Sequence, residues 1–230
     1  MKDKKVIFMG TPDFAVPVLE KLIKETNVVL VVTQPDKLVG RGKELSFSPI
    51  KKVALQNNID VFQPSKIREE YENIINIETD IIITCAYGQI IPKQILQYPR
   101  YGCINVHGSL LPKLRGGAPI HKAIIDDYKV TGITIMYMDV GMDTGDILLE
   151  EETKITEEDN LETVFDRLEE IGARLIVKTL DSLIEGTIKP IKQDDSLATI
   201  APMISKEMTK IDFTKSVNEI KALVKVAVMK

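Results

Sequence analysis

The residues best suited to chemistry begin with Asn105 and His107, which stand two positions apart in the apolar run 102–107. If this run is a strand, both side chains leave the same face, because side chains alternate along a strand. An amide and an imidazole can donate hydrogen bonds to an oxygen that gains negative charge, and an imidazole can also move a proton. A histidine is more often a structural residue than a catalyst, but the neighbouring Asn105 favours a functional interpretation of His107.

A loop rich in glycine and proline follows this run and contains Gly108–Pro112 and Arg115–Pro119. This composition indicates a loop of defined shape, and loops at the carboxyl ends of strands commonly carry function. His121 falls in a predicted helix just beyond the loop, and we interpret it as a structural residue.

A second polar segment, 139–146, places Asp139, Asp143 and Asp146 beside two glycines. The pattern fits either a site or a hairpin in which Asp residues stabilise the turn. A calcium loop of the D-x-[DN]-x-[DN]-G type is excluded, because Val140 and Gly141 fall at the wrong positions.

Apolar runs and helical periodicity predict the elements that position these residues. Apolar runs without alternation predict buried parallel strands, and they alternate with helix-like segments. This order is typical of βαβ units and predicts an α/β fold, doubly wound around a mostly parallel sheet. Ligands of such sheets bind beyond the carboxyl ends of the strands. The predicted strands are 6–9, 28–33, 80–85, 102–107, 131–139 and 146–152, and the predicted helices begin at Pro12 (capped by Thr11), Pro49, Leu161 and Ser216.

Length and composition exclude several classes of protein. The chain has 230 residues, a formal net charge of −4 and 44% hydrophobic residues, which is not the composition of a disordered chain. Its two cysteines, Cys85 and Cys103, form no C-x-x-C pair, which excludes a disulfide scaffold and a cysteine-based zinc site. We predict that both are buried in strands. No apolar run approaches ~18 residues, so no membrane span is predicted.

The first strand-to-helix turn, 9–15, excludes two common nucleotide-binding motifs. Pro12 and Asp13 stand where a dinucleotide-binding turn needs glycines that let the backbone approach the pyrophosphate. The turn also lacks the G-x-x-x-x-G-K-[ST] pattern of a P-loop.

Charge is unevenly distributed along the chain. Residues 36–52 carry five basic residues against two acidic ones, a net of +3, and two glycines. The composition indicates a mobile loop, and it fits either a loop that presents cations to phosphates or a solvated surface. Residues 150–162 carry seven acidic residues against one basic residue, a net of −6, and are interpreted as a solvated surface.

The motifs together resemble those of a known family. Asn105-x-His107-x-Ser109-Leu110-Leu111-Pro112, followed by Asp143-Thr144-Gly145, resembles the folate-dependent formyltransferases. The runs 8–15 and 33–49 are most similar to the branch of that family that formylates the amino group of initiator methionyl-tRNA with 10-formyltetrahydrofolate. The resemblance covers residues 4–215, and its motifs are specific in combination.

The resemblance implies a catalytic trio of Asn105, His107 and Asp143. In this reaction an amine attacks the formyl carbon while negative charge grows on the formyl oxygen. Asn105 and His107 would donate hydrogen bonds to that oxygen. Asp143 would orient His107, favour its protonated form and help to move the amine proton.

The resemblance also implies a folate site formed by three segments. The pterin would lie against the loop 86–92, the segment 109–112 would line the same pocket, and 139–143 would close it. Core packing is the alternative for 90–92. The predicted folate-binding residues are Tyr87, Gly88, Gln89, Ile90, Ile91, Ser109, Leu110, Leu111, Pro112, Asp139 and Gly141.

The resemblance implies Arg41 and Lys43 for tRNA binding, and Arg41 is a cation flanked by two glycines that can meet a phosphate. No metal is implied. The family further predicts a cytoplasmic enzyme that acts as a monomer.

The resemblance predicts a catalytic domain over residues 1–203, followed over 204–230 by a linker and the truncated start of a C-terminal domain. Members of the family continue into a small β-barrel that helps to hold tRNA, and this sequence is predicted to lack it.

Two alternative functions are consistent with the residues. One is a formyltransferase that acts on a small amine such as glycinamide ribonucleotide or an amino-sugar nucleotide. The basic loop at 34–49 favours tRNA, because a small substrate does not need it. The other is a non-catalytic binder of folate or RNA, which would bind folate without turnover.

Overall fold

A computed structural model describes residues 1–39 and 44–227, and within them the chain folds around a seven-stranded sheet. The strands are β1 (Lys5–Gly10), β2 (Asn27–Val32), β3 (Lys37–Val39), β4 (Glu44–Ser46), β5 (Val61–Phe62), β6 (Ile81–Cys85), β7 (Cys103–His107), β8 (Val130–Tyr137) and β9 (Ile147–Lys154). Their order in the main sheet is β5-β2-β1-β6-β7-β8-β9. The first five are mutually parallel, and β8 and β9 are antiparallel to their neighbours. The predicted α/β fold with a mostly parallel sheet is therefore confirmed.

Helices cover both faces of the sheet. In the described residues they are α1 (Val16–Glu25), α2 (Pro49–Gln56), α3 (Glu72–Ile75), α4 (Lys93–Leu96), α5 (Pro119–Ile125), α6 (Leu161–Ile184) and α7 (Val217–Ala227). Side chains of α1, α2, α5 and α6 belong to the core on one face, and those of α3 and α4 to the core on the other. No helix in this part of the chain has the length and apolar character needed to cross a lipid bilayer.

Local capping signals explain where two of the predicted helices begin. Ser48 caps α2, where its hydroxyl accepts a hydrogen bond from the amide of Lys51 at 3.0 Å. Asn160 caps α6: its Oδ1 accepts a hydrogen bond from the amide of Thr163, and the hydroxyl of Thr163 accepts one from the amide of Asn160, which completes a reciprocal pair. Both predicted starts are confirmed.

The prediction that Thr11 caps the first helix is wrong. The Thr11 hydroxyl instead donates to the carbonyl of Tyr87, at 3.0 Å. A short 3₁₀ turn, Asp13–Ala15, follows, and α1 begins only at Val16. A tertiary hydrogen bond to a neighbouring loop thus replaces the local cap.

Cys85 and Cys103 are buried in β6 and β7, as predicted. Burial raises the pKa of both thiols, because the thiolate loses hydration in an apolar environment. They therefore behave as small apolar residues.

The flanks of the basic segment are more ordered than predicted. β3 and β4 pair as an antiparallel hairpin, so the expected irregular loop is wrong for these residues. Lys51 is paired with Asp36 at 2.5 Å, which removes one of the cations expected to face phosphates. Residues 40–43, which include the predicted tRNA contacts Arg41 and Lys43, lie outside the described residues.

The acidic run is not uniformly solvated, which corrects the sequence interpretation at Asp159. Asp159 is buried, accepts a hydrogen bond from the amide of Thr156 at 2.8 Å, and forms an ion pair with Arg167. These partners keep its pKa below the usual value despite the opposing effect of burial. The carboxylate is a structural element at the start of α6.

The predicted boundary at 203/204 does not coincide with a gap in the packing. α7 lies against α5, and Val226 belongs to the main core. The division into two regions remains a prediction.

Glu169 on α6 gives the fold a testable pH dependence. Burial raises the pKa of Glu169 to about 7, with smaller contributions from the negative charges of Asp166, Asp13 and Glu170. Between about pH 4.5 and 7 the folded protein holds a proton that the unfolded chain has released, so this group lowers stability as pH rises through that window.

We therefore expect Glu169→Gln to raise the free energy of unfolding at pH 8 but not at pH 4.5, by about 1 kcal/mol or less because the residue is only partly buried and solvent screens its charge. Denaturant unfolding at the two pH values measures this. Glu20→Gln, on an exposed position of α1, is the matched control. An equal effect of Glu169→Gln at both pH values would contradict the assignment.

Candidate active site

The candidate site lies where the carboxyl ends of the central parallel strands meet. The chain leaves β1 toward β2 on one side and returns to β6 on the other, so the loops that follow β1 and β6 diverge at this edge. Such a switch point leaves a crevice for ligands. Thr11 and Gln34 both donate to the carbonyl of Tyr87, at 3.0 and 3.1 Å, and so join the loops after β1, β2 and β6.

β7 delivers Asn105 to this edge with its amide oriented. Thr84, the register partner of Asn105 on β6, donates its hydroxyl to Asn105 Oδ1 at 2.7 Å. This bond occupies the amide oxygen and leaves the Nδ2 group as the free end. In the described part of the chain Nδ2 has no hydrogen-bond acceptor, and the residue is partly exposed. Asn105 is therefore presented as a hydrogen-bond donor.

His107 lies two residues further along β7 and is 5% exposed. Its Nε2 lies 3.0 Å from the carbonyl oxygen of Leu114. A carbonyl only accepts, so Nε2 carries a proton and donates it. Nδ1 is the other ring nitrogen, and it lies 3.7 Å from Oδ2 of Asp143. Any contact of the ring with a reactant therefore involves Nδ1.

Asp143 is brought to His107 by the loop between β8 and β9. Its Oδ2 also accepts a hydrogen bond from the amide of Gly116, at 2.8 Å. Asp143 has φ of +54°, a left-handed conformation that is uncommon for a residue with a side chain. Gly145 packs so tightly that a Cβ there would lie 1.9 Å from the carbonyl oxygen of Tyr137, so only glycine fits.

Asp139 behaves as a turn residue. Its Oδ1 accepts from the amide of Gly141 at 2.9 Å and from the hydroxyl of Thr144 at 2.6 Å. The hairpin alternative thus describes Asp139, whose carboxylate braces the loop that carries Asp143. Asp139 and Gly141 thus shape the loop that carries Asp143, and their contact with folate stays a prediction.

The loop after β6 divides into buried and exposed residues. The side chains of Tyr87 and Ile91 are buried in the core on the α3 and α4 face, so only their main chain is available to a ligand here, and their role in folate binding stays a prediction. Ile90 is 77% exposed. Gly88 has φ of +88°, which lets the chain turn between these environments.

Gln89 and Ile90 border an open cleft of about 450 Å³. The Gln89 amide donates to the carbonyl of Pro64 at 3.1 Å and accepts from the amide of Ile67 at 2.8 Å. It thereby holds the segment 64–67 against the loop after β6. The lining residues are Gln34, Ser65, Lys66, Ile67, Arg68, Glu69, Gln89 and Ile90.

The segment 109–112 is folded back onto β8. The Ser109 hydroxyl donates to the carbonyl of Lys113 at 2.7 Å, and the Leu111 amide donates to the hydroxyl of Thr134 at 3.1 Å. Leu111 is buried against Met136 and Ile147, and the Leu111–Pro112 peptide is cis. Ser109 and Leu111 are therefore packing residues of the loop, whereas Leu110 and Pro112 are partly exposed.

Three residues of the site escaped the sequence analysis. Thr84 orients Asn105, and Arg115 and Gln193 hold the loop around Asp143. Arg115 stands within the glycine-rich motif that was singled out, but nothing local distinguishes Gln193. His121 packs edge-on against Phe165 at 5.4 Å, as expected of a structural residue.

Among residues 1–39 and 44–227, no group of three or more His, Cys, Asp or Glu side chains is arranged to hold a metal ion. The groups that the described residues offer for chemistry at the carboxyl ends of the strands are the amide of Asn105, the imidazole of His107 and the carboxylate of Asp143.

Comparison with known proteins identifies related sequences. A family model described as formyl transferase matches residues 4–180. The protein named methionyl-tRNA formyltransferase from Bacillus cereus (strain B4264) is 53% identical over 219 residues, which cover 94% of this chain and 70% of that protein.

Solved structures share the fold. WlaRD, described as a sugar 3N-formyl transferase in the presence of dTDP and 5-N-formyl-THF, has a TM-score of 0.75 over 98% of this chain and 79% of its own, at 23% identity. That similarity shows the fold alone. Phosphoribosylglycinamide formyltransferase from Bacillus halodurans has a TM-score of 0.67 at 25% identity, over 79% of this chain and 95% of its own.

Proposed function

The chain belongs to the formyl transferase family, and we propose that it transfers a formyl group from 10-formyltetrahydrofolate to the free amino group of initiator methionyl-tRNA. The observation that carries the proposal is the approach of Asp143 to His107, 3.7 Å apart, beside the oriented amide of Asn105. The relative that is 53% identical and named methionyl-tRNA formyltransferase supports this acceptor over a small amine.

Asn105 stabilises charge in the proposed reaction. The amine nitrogen forms a bond to the formyl carbon of the folate, the bond from that carbon to N10 breaks, and tetrahydrofolate leaves with a proton on N10 that replaces the one lost by the amine. Asn105 Nδ2 donates a hydrogen bond to the formyl oxygen as that oxygen becomes negative. Thr84 holds the amide in this orientation before the reaction starts, so little reorganisation is needed. A preorganised donor of this kind contributes about 3–4 kcal/mol to transition-state stabilisation.

His107 and Asp143 act as a coupled pair. Because Nε2 donates to the carbonyl of Leu114, a proton on Nδ1 makes the ring an imidazolium that faces both Asp143 and the reactants. The Asp143 carboxylate stabilises that positive charge. It is also the base through which the amine proton leaves the reacting nitrogen.

The cleft beside Gln89 and Ile90 is the proposed place for the folate. Its exposed apolar wall at Ile90 suits a flat ring system. Arg68 and Lys66, the latter paired with Glu69 at 2.9 Å, also line the cleft and are the cations proposed to face the carboxylates of the glutamate tail. We propose that the folate extends from this cleft toward Asn105, past Gly88 and the segments 109–112 and 139–141, which do not line the cleft itself.

Arg41 and Lys43 are the proposed contacts for the acceptor stem of tRNA. We expect Arg41→Ala to lower kcat/KM for methionyl-tRNA about tenfold, because a charge-assisted hydrogen bond to phosphate contributes about 1.5–3 kcal/mol. The slope of log KM against log salt concentration should fall by about 1. The Kd for folate should not change. Steady-state kinetics at several salt concentrations and equilibrium folate binding measure these quantities.

Lys24→Ala is the matched control, since Lys24 is an exposed cation of α1. Equal losses in folate binding and in tRNA use after Arg41→Ala would contradict the assignment.

The function is tested by incubating the protein with 10-formyltetrahydrofolate and three acceptors: methionyl-tRNA, glycinamide ribonucleotide and an amino-sugar nucleotide. Formyl transfer to methionyl-tRNA alone supports the proposal. Turnover of only a small amine favours the first alternative, and folate binding without turnover favours the binding protein.

The remaining expectations follow from this function. We propose that the chain acts in the cytoplasm, as a monomer, with residues 1–203 as the catalytic unit and 204–230 as a connection to a further domain. Size-exclusion chromatography with light scattering tests the monomer.

A further inference from the structure

We propose that Gln193 is a positioning residue for formyl transfer, which holds Asp143 in its reactive place by joining the Asp143 loop to the buried Arg115. This inference rests on the proposed function, because it presumes that Asp143 takes part in the reaction. It concerns a segment beyond residues 4–180, to which the family model is matched.

The Gln193 side chain uses its full hydrogen-bonding capacity. Its Nε2 donates to the carbonyl oxygens of Asp143 and Gly145, at 2.9 and 2.8 Å. Its Oε1 accepts from Nε and Nη2 of Arg115, at 3.1 and 2.8 Å. An amide has two N–H donors and one oxygen with two lone pairs, so every position is filled. Neither glutamate nor methionine reproduces this pattern, although both have a similar length.

The contacts form a closed ring around Asp143. Gln193 binds the carbonyl of Asp143, the Asp143 carboxylate accepts from the amide of Gly116 at 2.8 Å, and Gly116 directly follows Arg115, which returns to Gln193. The backbone and the side chain of Asp143 are thus each held by a partner. The left-handed conformation of Asp143 needs such support, because surroundings must stabilise a backbone that is locally unfavourable.

Burial makes the hydrogen bonds of this ring hard to replace. Gln193 is 7% exposed and Arg115 is 6% exposed, so neither can exchange its protein partners for water freely. The charge of Arg115 is balanced by Asp195, at 2.7 Å from Nη2. The main chain of Arg115 is paired as well, donating to the carbonyl of Thr199 at 2.8 Å and accepting from the amide of Ala201 at 2.7 Å. Segment 193–201 therefore clamps the loop that faces Asp143.

The role predicts a specific kinetic pattern. In Gln193→Glu the carboxylate still accepts from Arg115 but can no longer donate to the carbonyls of Asp143 and Gly145. The Asp143 loop is then released while the buried arginine keeps a partner. We expect kcat to fall about 10–100-fold, since a displacement of about 1 Å in a catalytic group costs up to about 10²-fold in rate. KM for folate should change less than about threefold.

The amide of Gly116 reports on the position of Asp143 without any reliance on activity, because it donates directly to the Asp143 carboxylate. Hydrogen exchange at Gly116 should accelerate in Gln193→Glu and in Gln193→Met, and it should also accelerate in Asp143→Ala, which removes the acceptor itself. The matched control is Asn57→Leu, which removes an amide that donates to the carbonyl of Val53 at 2.8 Å. Asn57 lies at the end of α2, distant in sequence from Gly116, Asp143 and Gln193. In that variant Gly116 exchange and kcat should both remain at wild-type values.

A double-mutant cycle separates positioning from general stability. In an Asp143→Asn background, Gln193→Glu should lower kcat less than twofold further, because the two residues act through one group.

Wild-type kcat and wild-type Gly116 exchange in a folded Gln193→Glu protein would overturn the proposal, as would fully multiplicative losses in the cycle. If Gln193→Met does not fold, kcat and Gly116 exchange in the Gln193→Glu protein test the proposal. A wild-type protein that formylates no amine refutes the proposed function, while Gly116 exchange still tests the ring.

Discussion

Replacing Asn105 with aspartate is expected to lower kcat for formyl transfer by about 10²–10³. The substitution keeps the shape of the side chain and its bond from Thr84 but removes the Nδ2 donor. It also places an acceptor, and at neutral pH a negative charge, where the formyl oxygen becomes negative. Single-turnover formylation of methionyl-tRNA at saturating folate measures the effect.

The matched control for this substitution is Asn73→Asp, at an exposed position of α3 where the amide donates to the carbonyl of Glu70. It should retain wild-type kcat. The Asn105→Asp protein should also bind folate within about threefold of the wild-type Kd, because the donor acts on charge that develops only during the reaction. A kcat within threefold of wild type would show that Asn105 does not stabilise this charge.

Asp143→Asn is expected to lower kcat by about 10²–10⁴, the range over which a positioned general base contributes. The amide retains an oxygen for the Gly116 amide, so the loop keeps its main contact. It cannot take the amine proton, and it carries no charge to balance an imidazolium at His107, 3.7 Å away. Rapid-quench formylation measures the chemical step directly.

Asp181→Asn, an exposed position of α6, is the control for the loss of one carboxylate. Raising the pH should not restore the Asp143→Asn protein, because the missing base cannot be supplied by titrating the variant. An Asp143→Asn enzyme that transfers formyl groups at the wild-type rate would remove Asp143 from the mechanism.

Local patterns in the sequence predicted most of the elements. Apolar runs located β1, β2, β6 and β7, because strands buried on both faces need continuous apolar residues. Two-residue periodicity then placed Asn105 and His107 on one face of β7, as the structure has them. The caps at Ser48 and Asn160 fixed the starts of α2 and α6 through contacts three residues away.

Contacts between distant parts of the chain were not predicted, because no local pattern encodes them. Gln193 reaches the Asp143 loop from 50 residues away, and Thr84 orients Asn105 from 21 residues away. The same limitation explains the error at Thr11, where a hydrogen bond to Tyr87 displaced a plausible local cap. Asp143 itself was assigned by resemblance, since its spacing alone also fitted a turn.

The errors in the charged segments have a common physical origin. Asp159 and Lys51 were interpreted from charge density, which describes solvation but not pairing. Each has a partner of opposite sign, Arg167 for Asp159 and Asp36 for Lys51. A pair that is buried or partly buried serves the fold and is not available to a ligand.

The most direct test of the central claim is a crystal structure of the protein with a stable formylfolate analogue. Our account predicts the formyl oxygen about 3 Å from Asn105 Nδ2, with the formyl carbon beside Nδ1 of His107 and the Asp143 carboxylate. A folate bound with its formyl group on another face of the sheet, or with Asn105 and Asp143 on opposite sides of an intervening wall, would contradict it.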